Sequence, residues 1–293
     1  MARNLTPDLR SESLIEALPY IQRFRGHTFV IKYGGSAIED EDQVKHFLRD
    51  VVFLEAVGIN PVLVHGGGKA ITAAMRKAGL KTHFLNGLRV TDEQSVSIVE
   101  EILDREINPQ IVATIEHFGG KVIGFSGKDI FQAKRLLPLL APSGSSQDFG
   151  FVGEVVKVQI ENIQKAIKAE IVPVISPIGA SEDGTVLNIN ADIAASALAG
   201  SLKASKLIFV SDVPGIMRDP SLQESLIPSV GSNKIEDLIR EEIIVGGMIP
   251  KVRSAIQALK EGVSKTHFIS GAQEHCLLLE IFSNAGIGTE ILP

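Results

Sequence analysis

Residues 61–69 read Pro-Val-Leu-Val-His-Gly-Gly-Gly-Lys, an apolar run that ends in glycines just before a helical pattern. Glycines between a strand and a helix let backbone N–H groups approach an anion, and the helix N-terminus adds partial positive charge. Residues 28–36, Thr-Phe-Val-Ile-Lys-Tyr-Gly-Gly-Ser, end another apolar run in the same way. Two such junctions predict an anion site at the carboxyl edge of a parallel sheet, with a purely structural role for the glycines as the alternative.

Apolar runs alternate with amphipathic stretches along the whole chain. Strands are predicted at 28–33, 61–65, 121–125, 151–158, 171–176, 207–211 and 266–269. Helices are predicted at 41–57, 69–78, 92–117, 160–168, 191–202, 235–241, 251–260 and 274–282. Near-continuous apolar strands between helices predict an α/β fold, a three-layer αβα sandwich around an open, mainly parallel sheet. The Pro-, Gly- and Ser-rich stretch 137–150 is either a seam between two lobes or a surface loop.

Composition narrows the class of protein. The chain has 293 residues and a formal net charge of −6, with 44% apolar and 22% charged residues. This balance is typical of a globular protein and disfavours nucleic-acid binding, which needs a basic surface. No apolar run approaches the ~20 residues of a membrane span, so no membrane insertion is expected. The single cysteine, Cys276, excludes an intrachain disulfide and favours a reducing, cytoplasmic location.

Several common catalytic signatures are missing. G-x-x-x-x-G-K-[ST] occurs nowhere, and Ile71 takes the place of the third glycine of a dinucleotide fingerprint. H-E-x-x-H and G-x-S-x-G are also absent, so neither a metal centre nor an esterase nucleophile is predicted. Glycine amides, lysines, an arginine and carboxylates remain, and these groups can stabilise a transferring phosphoryl group by charge and position.

Two lysines stand where a charge is unfavourable unless an anion is near. Lys32 lies inside the apolar run 28–33, where an unpaired ammonium would be costly to desolvate. Lys251 follows the loop Gly-Gly-Met-Ile-Pro of residues 246–250, at a predicted helix start whose dipole opposes a cation. Both positions suggest lysines that face phosphate. The alternatives are a snorkelling Lys32 and a solvated Lys251.

Polar residues gather at three other junctions. Residues 188–192, Asn-Ile-Asn-Ala-Asp, precede a helix, so Asn190 or Asp192 either caps that helix or helps to orient a substrate. Arg89 offers a planar fork that suits a carboxylate, unless it is only solvated. Residues 211–215, Ser-Asp-Val-Pro-Gly, end an apolar strand and either contact a nucleotide or form an ordinary turn.

The N-terminal residues predict an amphipathic helix over 9–24. Asp8 is a candidate cap, and Pro19 is expected to kink the helix because it removes a backbone hydrogen bond. Apolar residues recur at helical spacing, at Leu14, Ile15, Leu18, Ile21 and Phe24. This helix either folds onto its own domain or packs against another subunit.

Seven segments together resemble the amino acid kinase family, and within it the members that phosphorylate N-acetyl-L-glutamate. They are IKYGGSAI at 31–38, VLVHGGGKAI at 62–71, NGLRVTD at 86–92, FVGEV at 151–155, LNINADIAA at 187–195, LIFVSDVPGI at 207–216 and GGMIPKV at 246–252. The resemblance covers the chain from residue 29 onward. It implies an acyl-amino-acid-binding lobe at 26–180, a nucleotide-binding lobe at 181–293, and phosphorylation of the side-chain carboxylate by ATP, with Mg²⁺ carried by the nucleotide, early in arginine synthesis.

The resemblance also implies individual roles. Lys32 and Lys251 would neutralise the transferring phosphoryl group, and Asp192 would orient them. Substrate contacts are implied for Gly67, Gly68, Arg89, Asn188 and Asn190. Nucleotide contacts are implied for Gly34, Gly35, Ser211 and Asp212. One departure is Lys69, because many relatives place proline after the glycines.

Regulation by arginine is a further implication of this resemblance. Arginine-inhibited members carry an N-terminal helix that interlaces dimers into a hexamer, a trimer of dimers, and residues 1–25 would form that helix here. Effector contacts are implied for Tyr20, Lys203, His267, Glu280 and Gly286. The alternative is that Glu280 only caps or solvates its helix and that Tyr20 belongs to the core.

Other functions stay open at this point. A kinase of the same family that acts on glutamate, aspartate or carbamate is the nearest, and free glutamate differs by an α-ammonium where acetylglutamate has an amide. A nucleotide-binding sensor without catalysis belongs to another class, and the presence of both Lys32 and Lys251 argues against it. A dehydrogenase is disfavoured by the missing fingerprint.

Overall fold

The computed structural model describes residues 6–35, 40–140, 146–284 and 286–293. The strands are β1 Thr28–Tyr33, β2 Asn60–His65, β3 Phe84–Leu85, β4 Leu88–Arg89, β5 Val122–Phe125, β6 Phe131–Arg135, β7 Leu139–Leu140, β8 Ser146–Gln147, β9 Gly153–Val158, β10 Val172–Ile175, β11 Ile178–Ala180, β12 Val186–Asn188, β13 Lys206–Ser211, β14 Ser229–Gly231, β15 Lys265–Ser270 and β16 Thr289–Leu292. The helices are α1 Pro7–Phe24, α2 Glu41–Ala56, α3 Gly68–Lys77, α4 Glu93–Glu100, α5 Asn108–His117, α6 Glu161–Lys168, α7 Ala191–Leu202, α8 Ile235–Arg240, α9 Met248–Lys260 and α10 Cys276–Ile281.

The main sheet has eight strands in the order β14-β16-β15-β13-β1-β2-β10-β5. Paired neighbours run parallel, except that β16 is antiparallel to β15. Alternate residues of β1 enter two separate cores, because Val30 packs on one face while Phe29 and Ile31 pack on the other. Helices α6 to α9 cover the first face, and α2 to α5 with α10 cover the second. The predicted three-layer αβα sandwich is confirmed.

The centre of this sheet brings the two glycine junctions together. β1 lies between β2 and β13, and Tyr33 is the register partner of both His65 and Val210. Because the three strands are parallel, their carboxyl ends meet at one edge. The segments after Tyr33, His65 and Ser211 are therefore neighbours in space, although long stretches of chain separate them.

A second sheet of four strands, in the order β12-β11-β6-β9, adjoins that edge. Strand β11 begins just after β10 ends, and β12 returns antiparallel to it. Isolated bridges join Thr91 to Gly150 and Val152 to Asn188. These pairings carry Asn188 and the following helix start toward the carboxyl edge of the main sheet. The sequence pattern did not predict this sheet as a separate unit.

The helix predicted at 92–117 is divided into three parts. It runs as α4, a π-helical segment Glu101–Ile107, and α5. Periodicity did not reveal the π segment because both flanking helices continue the same apolar stripe. Helix α9 begins at Met248 rather than at 251, so Lys251 lies in its first turn. Helix α10 is shorter than predicted at 274–282, and His275 before it has a left-handed φ of 56°.

The remaining local predictions concern the ends and the middle of the chain. Helix α1 contains Pro19 within a continuous helix, and Asp8 lies inside its first turn rather than before it. In the stretch 137–150, β7 and β8 pair antiparallel, whereas 141–145 lie outside the described residues, as do 1–5 of the N-terminal segment and 36–39 of the first glycine motif. In the described part of the chain, no helix has the length and apolar character needed to cross a bilayer.

Candidate active site

Two cavities open at the carboxyl edge of the main sheet and share Lys32, Gly35 and Lys251. The first cavity is mixed in character and includes Gly34, Gly66, Gly67, Gly68, Ile71, Phe84, Arg89, Leu103, Val152, Asn188, Asn190 and Asp192. The second cavity is mostly apolar and includes Ser211, Asp212, Val213, Pro214, Ile216, Met217, Ile244, Val245 and Met248. The twelve residues predicted for catalysis, substrate and nucleotide therefore all line one cavity or the other.

At the junction of the cavities, two lysines converge on one carboxylate. Lys32 Nζ lies 3.0 Å from Asp192 Oδ1, and Lys251 Nζ lies 2.8 Å from Asp192 Oδ2. Lys32 and Asp192 are buried at 6% and 8% exposure, whereas the Lys251 side chain retains 24%. Two ammonium groups against one carboxylate leave a positive charge at the meeting point of the cavities.

The ionisation of this cluster follows from burial and charge. Burial by itself would raise the pKa of Asp192, but the charges and hydrogen bonds of Lys32 and Lys251 outweigh it and lower that pKa to about 2. Burial lowers the pKa of Lys32, and the charge of Asp192 opposes this change. Asp192 is therefore a permanent anion at neutral pH, and it holds the two ammonium groups in place.

Asn190 fixes where Asp192 stands. Asn190 is the N-cap of α7, and its Oδ1 accepts hydrogen bonds from the backbone N–H groups of Asp192 and Ile193, at 2.9 and 3.2 Å. Its side-chain NH₂ has no acceptor in the described part of the chain and can contact a ligand in the first cavity. Of the two candidate caps named by the sequence, Asn190 takes the role and Asp192 follows in the first turn.

The glycines leave room for close approach at this junction. A Cβ at Gly34 would overlap the Lys32 ammonium, and one at Gly35 would overlap the Asp212 carboxylate. Gly35 also has a φ of 79°, which strains any other residue. A Cβ at Gly67 would lie 2.6 Å from Leu103 Cδ2. Close packing by itself therefore favours glycine at these three positions.

Arg89 is held at the far wall of the first cavity. Its NH2 donates to Gly68 O at 2.7 Å and to Thr72 Oγ1 at 2.9 Å, and its guanidinium carbon lies 4.7 Å from the centre of the Phe84 ring. Arg89 is only 7% exposed, and burial lowers its pKa. Among the described residues no carboxylate comes within 4.0 Å of it, so a ligand carboxylate would fit its charge.

Asn188 and Ser211 occupy opposite ends of the site. The Asn188 side-chain amide donates to Thr91 Oγ1 at 3.1 Å, beside the first cavity. Ser211 ends β13 and is buried, whereas Asp212 beside it is exposed and lines the second cavity. Asn188 thus lines the first cavity and Ser211 and Asp212 line the second, whereas Gly34, predicted for the nucleotide, lines only the first.

The residues predicted for the effector are brought together in part. His267 Nδ1 donates to Glu280 Oε1 at 2.6 Å, while Glu280 Oε2 accepts from the backbone of Ile287 at 2.8 Å and of Gly288 at 3.1 Å. Gly286 borders the same carboxylate, because a Cβ there would lie 2.7 Å from Oε2. Three predicted residues thus share one buried cluster.

The other two effector candidates lie differently. The Tyr20 hydroxyl donates to Asn284 Oδ1 and so links α1 to the segment after α10. Lys203 ends α7 and donates to Glu261 O at 2.6 Å. Lys206 instead reaches the buried cluster, because its Nζ donates to His267 Nε2 at 2.8 Å. The sequence analysis missed Lys206, although a lysine at the start of an apolar strand was a signal of the same kind as Lys32.

Known proteins resemble this chain over most of its length. Residues 27–270 match the profile of the amino acid kinase family. A protein of Akkermansia muciniphila named acetylglutamate kinase is 51% identical over 281 residues, covering 95% of this chain and 94% of that protein. Another, from Aquifex aeolicus, is 46% identical and covers 96% of this chain and 97% of that protein. The chain belongs to the amino acid kinase family.

Solved structures agree on the fold. An N-acetylglutamate synthase from Neisseria gonorrhoeae, complexed with coenzyme A and N-acetyl-glutamate, superposes with a TM-score of 0.85 at 25% identity over 97% of this chain. The chain spans only 63% of that synthase. A carbamate kinase from Giardia lamblia, bound to AMP-PNP, shares the fold with a TM-score of 0.65 at 17% identity, covering 91% of this chain and 98% of that one. The predictions of an amino acid kinase fold and of a kinase resembling the acetylglutamate kinases are confirmed.

Proposed function

We propose that this chain transfers the γ-phosphoryl group of ATP to the side-chain carboxylate of N-acetyl-L-glutamate. The observation that carries the proposal is the convergence of Lys32 and Lys251 on Asp192 at the point where two unlike cavities meet. Relatives named acetylglutamate kinase, at 44–51% identity, support the choice of acceptor.

The chemistry requires charge neutralisation rather than a general base. The acceptor carboxylate has a reference pKa of about 4.3 and is already ionised at neutral pH. Its approach to a polyphosphate is opposed by repulsion between anions. Ammonium groups held in a buried site reduce that repulsion, and they need no reorganisation when charge shifts in the transition state. Lys32 and Lys251 are proposed to act on the transferring group, with Asp192 as the group that positions them.

Backbone amides are proposed to complete the phosphoryl path. Gly35 lines both cavities, and Gly34, Gly67 and Gly68 line the first. Gly68 also begins α3, so that its helix N-terminus adds partial positive charge toward an anion. Lys69 follows in the first turn of this helix and leaves the helix start intact.

The first cavity is proposed to bind N-acetyl-L-glutamate. Arg89, buried without a carboxylate partner among the described residues, would hold the α-carboxylate as a two-pronged donor. Asn188 and the free NH₂ of Asn190 would contact the acetamido and carboxyl oxygens. Free glutamate would bring an α-ammonium to a wall that already carries the Arg89 charge, which favours the acylated substrate.

The second cavity is proposed to bind ATP, with Ser211 and Asp212 at its entrance. Mg²⁺ usually binds through substrate phosphates and one or two carboxylates. The exposed Asp212 carboxylate at this cavity suits an ion that arrives with the nucleotide. An Mg²⁺ ion that arrives with the nucleotide would neutralise part of the phosphate charge there. We propose residues 26–180, with Arg89 and the glycine junctions, as the acyl-amino-acid-binding lobe, residues 181–293, with Ser211 and Asp212, as the nucleotide-binding lobe, and residues 1–25 as the oligomerisation helix; Asn188 and Asn190 reach the first cavity from the second lobe.

The proposal is tested by ADP release from the purified protein with N-acetyl-L-glutamate, L-glutamate, L-aspartate and carbamate, each with MgATP. We expect turnover with the acetylated substrate at least about tenfold above the others, since a misplaced charge in a buried site costs more than 1.4 kcal/mol. A preference for an unacylated substrate would show that the acceptor is that substrate and not N-acetyl-L-glutamate. If no substrate gave ADP release, the remaining candidate would be a nucleotide sensor without catalysis.

Feedback inhibition by arginine is the second part of the proposal. The cluster His267–Glu280 is buried, carries Lys206 on its other side, and adjoins the contact between Tyr20 and Asn284. An arginine bound there would touch both α1 and the C-terminal segment. Leu14 and Ile15 on α1 are exposed at 69% and 68%, which supports packing of this helix against a second copy within a hexamer built as a trimer of dimers. Inhibition by arginine would be consistent with a role of this enzyme in arginine synthesis.

A further inference from the structure

His65 is the buried residue between the apolar strand β2 and the glycine junction, and the reaction described above does not use it. It ends β2 with 0% exposure and is not among the residues that line either cavity. Its Nδ1 lies 3.0 Å from the carbonyl oxygen of Gly66, and its Nε2 lies 3.3 Å from Asn108 Nδ2. The imidazole therefore connects the glycine junction to the start of α5.

These contacts define the protonation of the ring. The Gly66 carbonyl only accepts, so Nδ1 carries the hydrogen. Asn108 Nδ2 has two hydrogens, one directed to Val174 O at 3.1 Å and the other to His65 Nε2, which must accept. A second proton on Nε2 would face the hydrogens of the Asn108 amide. In agreement, burial lowers the pKa of His65 to about 4, although the Gly66 carbonyl and the charge of Asp104 oppose the change.

Asn108 is itself fixed in this orientation. It is the first residue of α5, directly after the π-helical segment, and only 6% exposed. A Cβ at Gly124 of β5 would overlap Asn108 Oδ1, so the glycine leaves room for the amide group. The π segment presses on the junction as well, since a Cβ at Gly67 would lie 2.6 Å from Leu103 and 2.8 Å from Ile107.

The Gly66–Gly67 peptide plane links the buried imidazole of His65 to the first cavity. No cis peptide bond occurs in the described chain, so the Gly66 carbonyl and the Gly67 N–H point in opposite directions. The carbonyl points to the buried imidazole, which leaves the Gly67 N–H on the side of the first cavity. Within residues 6–35, 40–140, 146–284 and 286–293 this N–H has no acceptor.

We propose that neutral His65, through its Nδ1–H and with Asn108 behind it, is a positioning residue that turns the Gly67 N–H toward the transferring phosphoryl group. This role rests on the phosphoryl transfer proposed above. The imidazole does not touch substrate. It holds one peptide plane so that its donor is aimed before substrate binds, and pre-aimed donors are the ones that stabilise developing charge.

Two substitutions separate positioning from packing. In His65→Asn, the amide NH₂ occupies the place of Nδ1 and can still donate to Gly66 O. In His65→Gln, the amide oxygen reaches the place of Nε2 and can still accept from Asn108, but the donor to Gly66 is lost. We expect kcat to fall about threefold or less for Asn and on the order of tenfold to 10²-fold for Gln, a fraction of the 10²–10³ lost with an oxyanion donor. The KM for ATP should change less than twofold in both.

Control measurements distinguish a loss of positioning from a loss of packing. Melting temperatures of both variants and of the surface variant His117→Gln report packing, and equal losses of kcat and stability for Asn and Gln would reduce His65 to a structural residue.

Imidazole ¹⁵N spectra of histidine-labelled wild type, assigned with His65→Asn, should give the Nδ1–H tautomer from pH 7 down to about pH 5. An Nε2–H tautomer or an imidazolium at pH 7 overturns the proposal whatever the substrate is. If acetylglutamate is not the acceptor, the variants are compared with the substrate that is, so failure of one proposal leaves the other measurable.

Discussion

Asp192 and Glu280 are buried carboxylates at the same exposure of 8%, yet their surroundings differ. Asp192 is held by two ammonium groups, at 3.0 and 2.8 Å. Glu280 is held by the imidazole of His267 and by two backbone N–H groups. In both, burial raises the pKa and the partners outweigh it, so that the pKa is lowered. Both acids are therefore ionised, and the two sites differ in the charge of the groups that hold the carboxylate.

Under the proposed function, this difference would separate a site for anionic ligands at Asp192 from a site for a cationic effector at Glu280. Around Asp192 the positive charges exceed the negative one, and the excess faces two cavities that suit anionic ligands. Around Glu280 the donors are an imidazole and two backbone N–H groups, and we propose that the negative charge of the carboxylate is therefore available to a guanidinium. Lys206, 2.8 Å from His267, is the cation at the edge of the second cluster. Four measurements test whether the two carboxylates differ in this way.

The largest effect is expected at the lysines. Lys32→Ala and Lys251→Ala should each lower kcat by about 10²–10³, the range for loss of one donor to a transition-state anion. Steady-state ADP release measures this, with Lys45→Ala as the control because the Lys45 side chain is half exposed and pairs only at the surface. Normal turnover in both folded variants would mean that the excess charge at Asp192 is not used in catalysis.

Arg89→Lys is expected to act on one substrate only. A lysine keeps the charge but lacks the planar fork, so the KM for acetylglutamate should rise by about tenfold to 10²-fold while the KM for ATP changes little. Arg76→Lys, an exposed neighbour on α3, is the matched control. Equal increases in both KM values would assign Arg89 to the packing of Gly68 and Thr72 rather than to substrate.

The effector cluster predicts a change in regulation without a change in catalysis. Deletion of residues 1–25, or Glu280→Gln, should weaken arginine inhibition by about tenfold or more, within the usual 1–3 kcal/mol of coupling between sites. The deletion should also reduce the mass measured by light scattering from hexamer to dimer. Glu274→Gln, at an exposed glutamate just before α10, is the control. A hexamer with unaltered inhibition after deletion would contradict the role of α1.

The smallest effect is a pH dependence at Lys206. Burial, together with the charge of Lys265, lowers the pKa of Lys206 to about 8, below its unfolded value. Below pH 8 both states are protonated and the cost of burying the charge is complete. Between pH 8 and about 10.4 the unfolded chain binds more protons, so stability rises with pH. Lys206→Met removes this dependence.

The free energy of unfolding should report that change directly. The difference between Lys206→Met and wild type should shift by about 2 kcal/mol between pH 7 and pH 10, in favour of wild type at high pH. Urea denaturation at the two pH values measures it, and the surface variant Lys45→Met should give no shift. A constant difference would mean that Lys206 titrates normally.

Much of the fold was predictable, and the residues predicted for catalysis, substrate and nucleotide all line the two cavities. The central strands β1, β2, β10 and β13 are apolar runs, and Lys32 stands out in its run because a charge there needs a partner. The two glycine junctions marked the correct edge of the sheet. The short second sheet, the π segment and the position of Lys206 were not predictable, because pairs of short strands and one extra residue in a helical turn leave no periodic signal.

The sequence alone determined which chemical groups are present and the order of strands, helices and glycine junctions, because hydrophobic periodicity and backbone freedom are local properties. It also marked Asn190 and Asp192 as the two candidate caps of α7, since a helix start is read from a few neighbouring residues, and the structure assigned the cap to Asn190. Only the tertiary structure decided that Lys32, Asp192 and Lys251 meet, because parallel pairing of β1 with β2 and β13 joins distant segments. It also decided that Lys206 rather than Lys203 reaches His267, since β-sheet register and burial are set by the whole sheet.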